Sequence, residues 1–239
     1  LLIVNIMMYR TVYRRYKPSV AVFDKNCLED IYSLGVKFFI GQFAGLVVFN
    51  SSSIIISHFI NPTETAIYNS AWTYFGVLVI FNNMLLQPII TAVTDAYVKR
   101  ELDWIKGAFG KLRLYNVGLT IVSVLMLLVS PFVFKIWLGG KLLIPLSLSI
   151  VMSIYFILNI WVSPYWAFLS GVGKLDISLL LALFKIVAFI PAALLMIKKF
   201  DTVGMVAAII IIHTLPNFIF GIIQYRKIVN DKARGIWNK

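Results

Sequence analysis

The sequence predicts an all-α, polytopic transmembrane helical bundle of six spans, and three observations carry that prediction. Six apolar stretches, residues 33–60, 66–94, 114–138, 142–169, 177–197 and 203–224, each exceed the ~20 residues a helix needs to cross a bilayer's hydrocarbon core. The segments between them alternate in lysine and arginine. Sixteen of the 22 basic residues fall in the first, third, fifth and last of the seven non-membrane segments, which assigns those segments to the cytoplasmic side. Finally, 60% of residues are hydrophobic and 13% charged, against roughly 45–50% and 25% in soluble domains. A soluble core of 239 residues cannot hide that much apolar surface.

Taken in order, residues 1–9 read as the end of a seventh, upstream span truncated at Leu1. In a signal peptide the charge precedes the apolar run; here it follows. Residues 10–32 form a basic cytoplasmic linker, broken by Pro18, and Cys27 within it is the sole cysteine, so no disulfide framework is available. Residues 33–224 make the six-helix lobe. Within it, loop 95–113 carries Tyr97, Leu102, Trp104, Ile105 and Phe109 at helical spacing among five basic residues, and an amphipathic helix on the inner leaflet is expected. The outward loops 61–65, 139–141 and 198–202 are short. They impose antiparallel neighbours and leave no room for an external catalytic domain. The basic tail, 225–239, suits anionic lipid. Because the net charge of +12 sits beside span ends, it points to membrane lipids and away from nucleic acid.

Polar groups in hydrocarbon gather on the side of a helix that faces protein or water. In the first span Gly35, Gln42, Asn50, Ser53 and Ser57 share about a quarter of the helical wheel; in the second, Thr73, Gly76, Asn83, Gln87, Thr91 and Thr94 do the same. Two readings are open: a water-accessible cavity lined by amides and hydroxyls, or interhelical hydrogen bonding with small-residue packing. Lys185 sits mid-span, where an ammonium costs about 3 kcal/mol or more without a partner. Either it bonds neighbouring carbonyls or loses its proton, or it forms a cationic spot in a transport cavity that attracts phosphate. Lys37 lies near the cytoplasmic start of its span and can snorkel. His58 reads as interfacial, and the cluster His213, Thr214, Pro216 and Asn217 as a kink. Pro88 and Pro216 are hinge candidates among five intramembrane prolines that include Pro131, Pro164 and Pro191. All ten carboxylates fall in loops or at helix ends, and no phosphate-binding loop, dinucleotide fingerprint or metal-spaced histidine pair occurs. The expectation is therefore a non-enzyme, with neither cofactor nor metal.

Four local motifs carry a family resemblance: IISHFINPTETAIYNSAW at 55–72, LLQPIITAVTDAYVKRE at 85–101, SPFVFKIWLGGKLLIP at 130–145, and the pair LSGVGKLDIS at 169–178 and FDTVGMVAA at 200–208. The chain resembles the Wzx-type polysaccharide flippases for O-antigen and other oligosaccharide-lipids, in the superfamily that includes multidrug extruders. Ala66 and Asp201 stand where that pattern has glycine. The resemblance implies two pseudo-equivalent lobes of which this is the C-terminal one, its missing N-terminal lobe being a partner. It also implies a multi-pass protein of the bacterial cytoplasmic (inner) membrane with a cytoplasmic C-terminus. The implied activity is alternating-access transfer of an undecaprenyl-diphosphate-type lipid-linked oligosaccharide from inner to outer leaflet, for surface polysaccharide such as lipopolysaccharide, with polymerase machinery as a further partner. The family brings no positioned catalytic motif, so the substrate-binding candidates rest on the stripes and the intramembrane lysines: Lys185, Gln42, Asn50, Ser53, Asn83, Gln87 and Lys37. Three alternatives stay open: a cation-coupled multidrug extruder, a membrane polymerase or ligase acting on lipid-linked sugar, and a partner-binding scaffold.

Overall fold

In the computed structural model the described residues are Met7, Met8, Thr11 and 25–238, with side chains described from residue 32 onward. The chain divides into two compact units, Leu1–Val36 and Lys37–Lys239. Most of the expected helix end at 1–9 and the first half of the expected linker lie outside the described residues. Residues 25–32, expected as connector, are already helical, because the first helix starts at Lys25.

All the long elements are α-helices: α1 (Lys25–Phe59), α2 (Pro62–Val98), α3 (Leu102–Trp137), α4 (Leu146–Val172), α5 (Asp176–Ile209) and α6 (Leu215–Val229), with a π turn at Ile210–Thr214 and a 3₁₀ turn at Gly235–Asn238. Among the described residues five helical stretches are long and apolar enough to cross a membrane, the last, Asp176–Val229, being bent at Phe200–Asp201. On α3 the residues Leu114, Ile121, Leu125, Leu128, Phe132 and Ile136 are all exposed. Their spacing makes one continuous apolar face, as on a lipid-facing helix. The protein is a multi-pass helical membrane protein.

The expected interfacial helix at 95–113 is not a separate element. Helix α2 continues to Val98 and α3 starts at Leu102, so the loop shrinks to Lys99–Glu101, with Arg100 in the left-handed region at φ 62°. At 1.5 Å per residue, α2 and α3 each reach about 55 Å and project beyond a hydrocarbon core of ~30 Å. The apolar residues of that loop go into protein rather than lipid: Ile105 and Phe109 are buried against Phe168, Leu169 and Ile228. Phe109 stacks on Tyr225 at 4.1 Å between ring centroids.

The turn from α1 to α2 is written in Asn61-Pro62-Thr63-Glu64. Asn61 caps α2 by accepting from the Glu64 amide at 2.7 Å, and Pro62 occupies the first helical position, where no N–H is needed. The Glu64 carboxylate in turn accepts from the Thr202 hydroxyl at 2.9 Å. This fastens the α1–α2 turn to a second reversal, at Phe200 (φ −134°, ψ 15°) and Asp201 (φ 51°, ψ −138°). The 54 residues from Asp176 to Val229 would run about 80 Å if straight. Instead the chain folds back so tightly that a Cβ on Gly204 would lie 2.2 Å from the Met196 carbonyl oxygen.

Helix α4 is the hub, packed against α2, α3, α5 and α6. Met152, Tyr155, Phe156, Ile160, Ala167 and Phe168 are buried along it, and at Gly171 the backbone comes so near α2 that a Cβ would sit 2.8 Å from the Ile90 carbonyl oxygen. Pro164 lacks an N–H and so orphans the Ile160 carbonyl four residues earlier. That oxygen accepts from Asn116 Nδ2 of α3 at 3.1 Å and from Ser163 Oγ at 2.8 Å, while Asn82 Nδ2 of α2 donates to Ser163 Oγ at 2.7 Å. The same device recurs in α3, where Ser130 Oγ donates to Leu127 O, the carbonyl freed by Pro131.

Two outcomes follow for thermal unfolding in detergent. Asn116→Leu should lower stability by about 0.6–2 kcal/mol, the range of an interhelical hydrogen bond in a membrane bundle. At the reversal the signs oppose: Asp201→Gly should stabilise by about 1–3 kcal/mol through relief of positive-φ strain, whereas Gly204→Ala should destabilise, and equal melting midpoints for both variants would contradict this account.

Candidate functional site

A cavity of about 390 Å³ opens among α1, α4, α5, the π turn and α6, with an edge from α2. Helical periodicity builds each wall. Lys37, Gly41, Gln42, Gly45 and Phe49 are one face of α1; Asn159, Ser163 and Trp166 one face of α4; Ser178, Leu181 and Lys185 one face of α5; His213, Asn217, Phe220 and Gln224 one face of the π turn and α6. The lining thus combines amides, hydroxyls and two cations with aromatic and aliphatic side chains such as Val162, Leu175 and Leu181.

Lys185 is 7% exposed. No carboxylate pairs with it and no acceptor is in hydrogen-bond range among the described residues. Lys37 differs: its ammonium pairs with the Asp176 carboxylate at the start of α5. One cavity cation is therefore compensated and the other is not. Two further groups on the wall have unmet hydrogen-bonding capacity, His213 Nδ1 and Gln224 Oε1, both buried and without partners. Gln224 is held by its other end, Nε2 donating to the Lys174 carbonyl at 3.2 Å. His213 is held by the edge-on contact of its ring with Phe49, 5.2 Å between centroids. A buried ammonium on a cavity wall, with no acid beside it among the described residues, is suited to an anion.

Of the candidate residues, Lys185, Gln42, Asn83 and Lys37 stand on this wall. Asn50, Ser53 and Gln87 do not. Asn50 and Gln87 are exposed, and Ser53 Oγ donates to Asn69 Oδ1 at 3.1 Å, part of the α1–α2 contact beyond the cavity's end at Phe49. Pro88 leaves α2 continuous from Pro62 to Val98. Pro216 directly follows the π turn, whose wider coil closes with Leu215 N–H donating to Ile210 O. The lining residues Asn159, Trp166 and Gln224 were not singled out from sequence, although Asn159, Ser163 and Trp166 at i, i+4 and i+7 are the signal that marks them.

Fold and site together define a multi-pass helical membrane protein with a cavity that carries two cations. In comparison with known proteins, residues 1–94 match the family described as "Polysaccharide biosynthesis protein". The chain is also 27% identical over 158 residues to a protein of Yersinia pseudotuberculosis described as "Putative O-antigen export protein", a match covering 64% of this chain and 35% of that protein. The chain thus matches only about a third of that relative's length. No solved structure matches. Both matches agree with the resemblance to Wzx-type polysaccharide flippases drawn from the sequence.

If the cavity is wet, Asn83→Cys and Asn217→Cys, in a background with Cys27 replaced by serine, should react with a water-soluble thiol reagent at least tenfold faster than Leu125→Cys on the lipid face of α3. Equal rates at the three positions would mean that the cavity is dry.

Proposed function

We propose that this chain is the C-terminal lobe of an exporter that passes lipid-linked oligosaccharide, of the undecaprenyl-diphosphate type, across the bacterial cytoplasmic membrane from inner to outer leaflet. The observation that carries the proposal is Lys185, a buried ammonium without a counter-ion on the wall of an amide-lined cavity. At 4 Å and an effective dielectric of 20, each unit charge of a diphosphate would gain about 4 kcal/mol from it. That offsets desolvation of the phosphate oxygens, while Gln42, Asn83, Asn159 and Asn217 supply hydrogen bonds to sugar hydroxyls. The lipid tail stays in the bilayer. Support at the family level comes from the match to polysaccharide biosynthesis proteins and to the O-antigen export relative.

In this reading the reversal at Phe200–Asp201 divides the Asp176–Val229 stretch into two crossings, which gives six spans across residues 33–224. The upstream 1–9 and 10–32 belong to a preceding span and an inter-lobe linker, and the basic 225–239 lies on the cytoplasmic side. The N-terminal lobe completes the path, and polymerase machinery receives the product. Transport follows alternating access, with Pro216 and the π turn beside it as the flexible element. An extruder of organic cations fits less well, because the uncompensated charge on the wall is positive and Asp176 is occupied by Lys37.

The test is surface-polysaccharide assembly in cells that carry the complete protein. Lys185→Glu should abolish it, Lys185→Ala should reduce it at least tenfold, and Lys185→Arg should retain a measurable fraction. Wild-type assembly with both Glu and Ala would sink the assignment.

A further inference from the structure

The 3₁₀ turn Gly235–Asn238 lies against residues that border the cavity at its basic end. Trp237 stacks on Phe220, 6.3 Å between centroids at an interplanar angle of 20°, and the Lys227 ammonium sits 3.8 Å above the Trp237 ring. The Trp237 carbonyl is 3.5 Å from Gln224 Nε2, which also donates to the Lys174 carbonyl. Asn238 Oδ1 accepts from the Lys174 ammonium, and that ammonium donates at 2.7 Å to the Tyr97 hydroxyl at the end of α2. Phe220 and Gln224 are cavity wall, and Lys174 precedes Leu175, which is wall too. Four residues therefore strap together the end of α2, the α4–α5 turn and the last turns of α6.

The character of these contacts fits a strap that opens. Trp237 is only half-buried and Asn238 is exposed, and the contacts are one aromatic stack, one cation–π contact and a few hydrogen bonds. Exposed cation–π contacts and net hydrogen bonds are individually weak. The short turn's total is small enough for release on the timescale of transport. Its loss would uncover more of Phe220, already exposed, and leave Gln224 held by the Lys174 carbonyl alone.

We propose that Gly235–Asn238 is a latch over the basic end of the cavity, which must open for the lipid-linked anion to enter. The proposal rests on the transport reading for what enters, but not for whether the latch covers the cavity. Its test begins with the rate at which Asn217→Cys is modified by a small thiol reagent in the complete, otherwise cysteine-free protein. Trp237→Ala should raise that rate fivefold or more, and Trp237→Phe should leave it near the parent's. Asn238→Ala, which removes only the contact to Lys174, should give an intermediate rise and guards against misfolding at Trp237. Oxidising the pair Lys174→Cys and Asn238→Cys should slow modification at least fivefold and halt export, with both restored by reductant. Rates within twofold of the parent in Trp237→Ala and Asn238→Ala, both folded, would overturn the latch. Export that continues with the pair cross-linked would overturn the need for opening. Failure of the Lys185 variants to impair export would leave the thiol rates unchanged, so the two ideas fail separately.

Discussion

The arrangement depends on one orphaned carbonyl. Pro164 cannot donate to Ile160 O, and a bare carbonyl in a bilayer interior costs several kcal/mol. Asn116 and Ser163 satisfy it, and Asn82 joins through Ser163, so one backbone defect in α4 collects side chains from α2 and α3. Apolar helices have no hydrophobic reason to prefer one rotational setting in lipid, since any face is equally well solvated. The polar node supplies the missing specificity. It fixes the rotation of α4, and with it the direction of Asn159, Ser163 and Trp166 toward the cavity.

Packing elsewhere repeats that logic with weaker means. At one end Glu64 binds Thr202 and holds two reversals together; at the other, Phe109, Phe168 and Tyr225 form an aromatic cluster joining α3, α4 and α6. Between them Trp72, Tyr155 and Phe156 stack α2 on α4. Helix α1 is seated along Ala44, Val48, Ser52, Ile55 and Ile56, all buried, with Phe49 on Trp72 and His213. The cavity opens beside its first half, where Lys37 pairs with Asp176.

The long apolar helices, the short turns between them and the burial of Lys185 were legible because hydropathy and charge act one residue at a time. Rotation was not. The stripe through Gln42 and Asn50 spans about a quarter of a turn, and that latitude is wide enough to put Gln42 on the cavity wall and Asn50 off it. The residues of 95–113 looked interfacial because their apolar face could serve lipid or protein equally well. Only the tertiary partners Phe168 and Tyr225 decide between them. The π turn shifts the register before Pro216 by a fraction of a turn, which no periodicity argument anticipates, and so aligns His213 with Asn217 and Gln224.

The two lysines of the cavity wall are treated differently. Asp176 at the helix start answers Lys37, so that lysine can be partly buried at little electrostatic cost. An acid placed beside Lys185 would similarly stabilise the fold, yet it would also spend the charge, since a bound anion would then have to displace it. With every carboxylate confined to loops and helix ends, the desolvation cost at Lys185 stays unmet among the described residues. A bound anion can recover it, which makes the least stable group on the wall the one with most to gain from substrate.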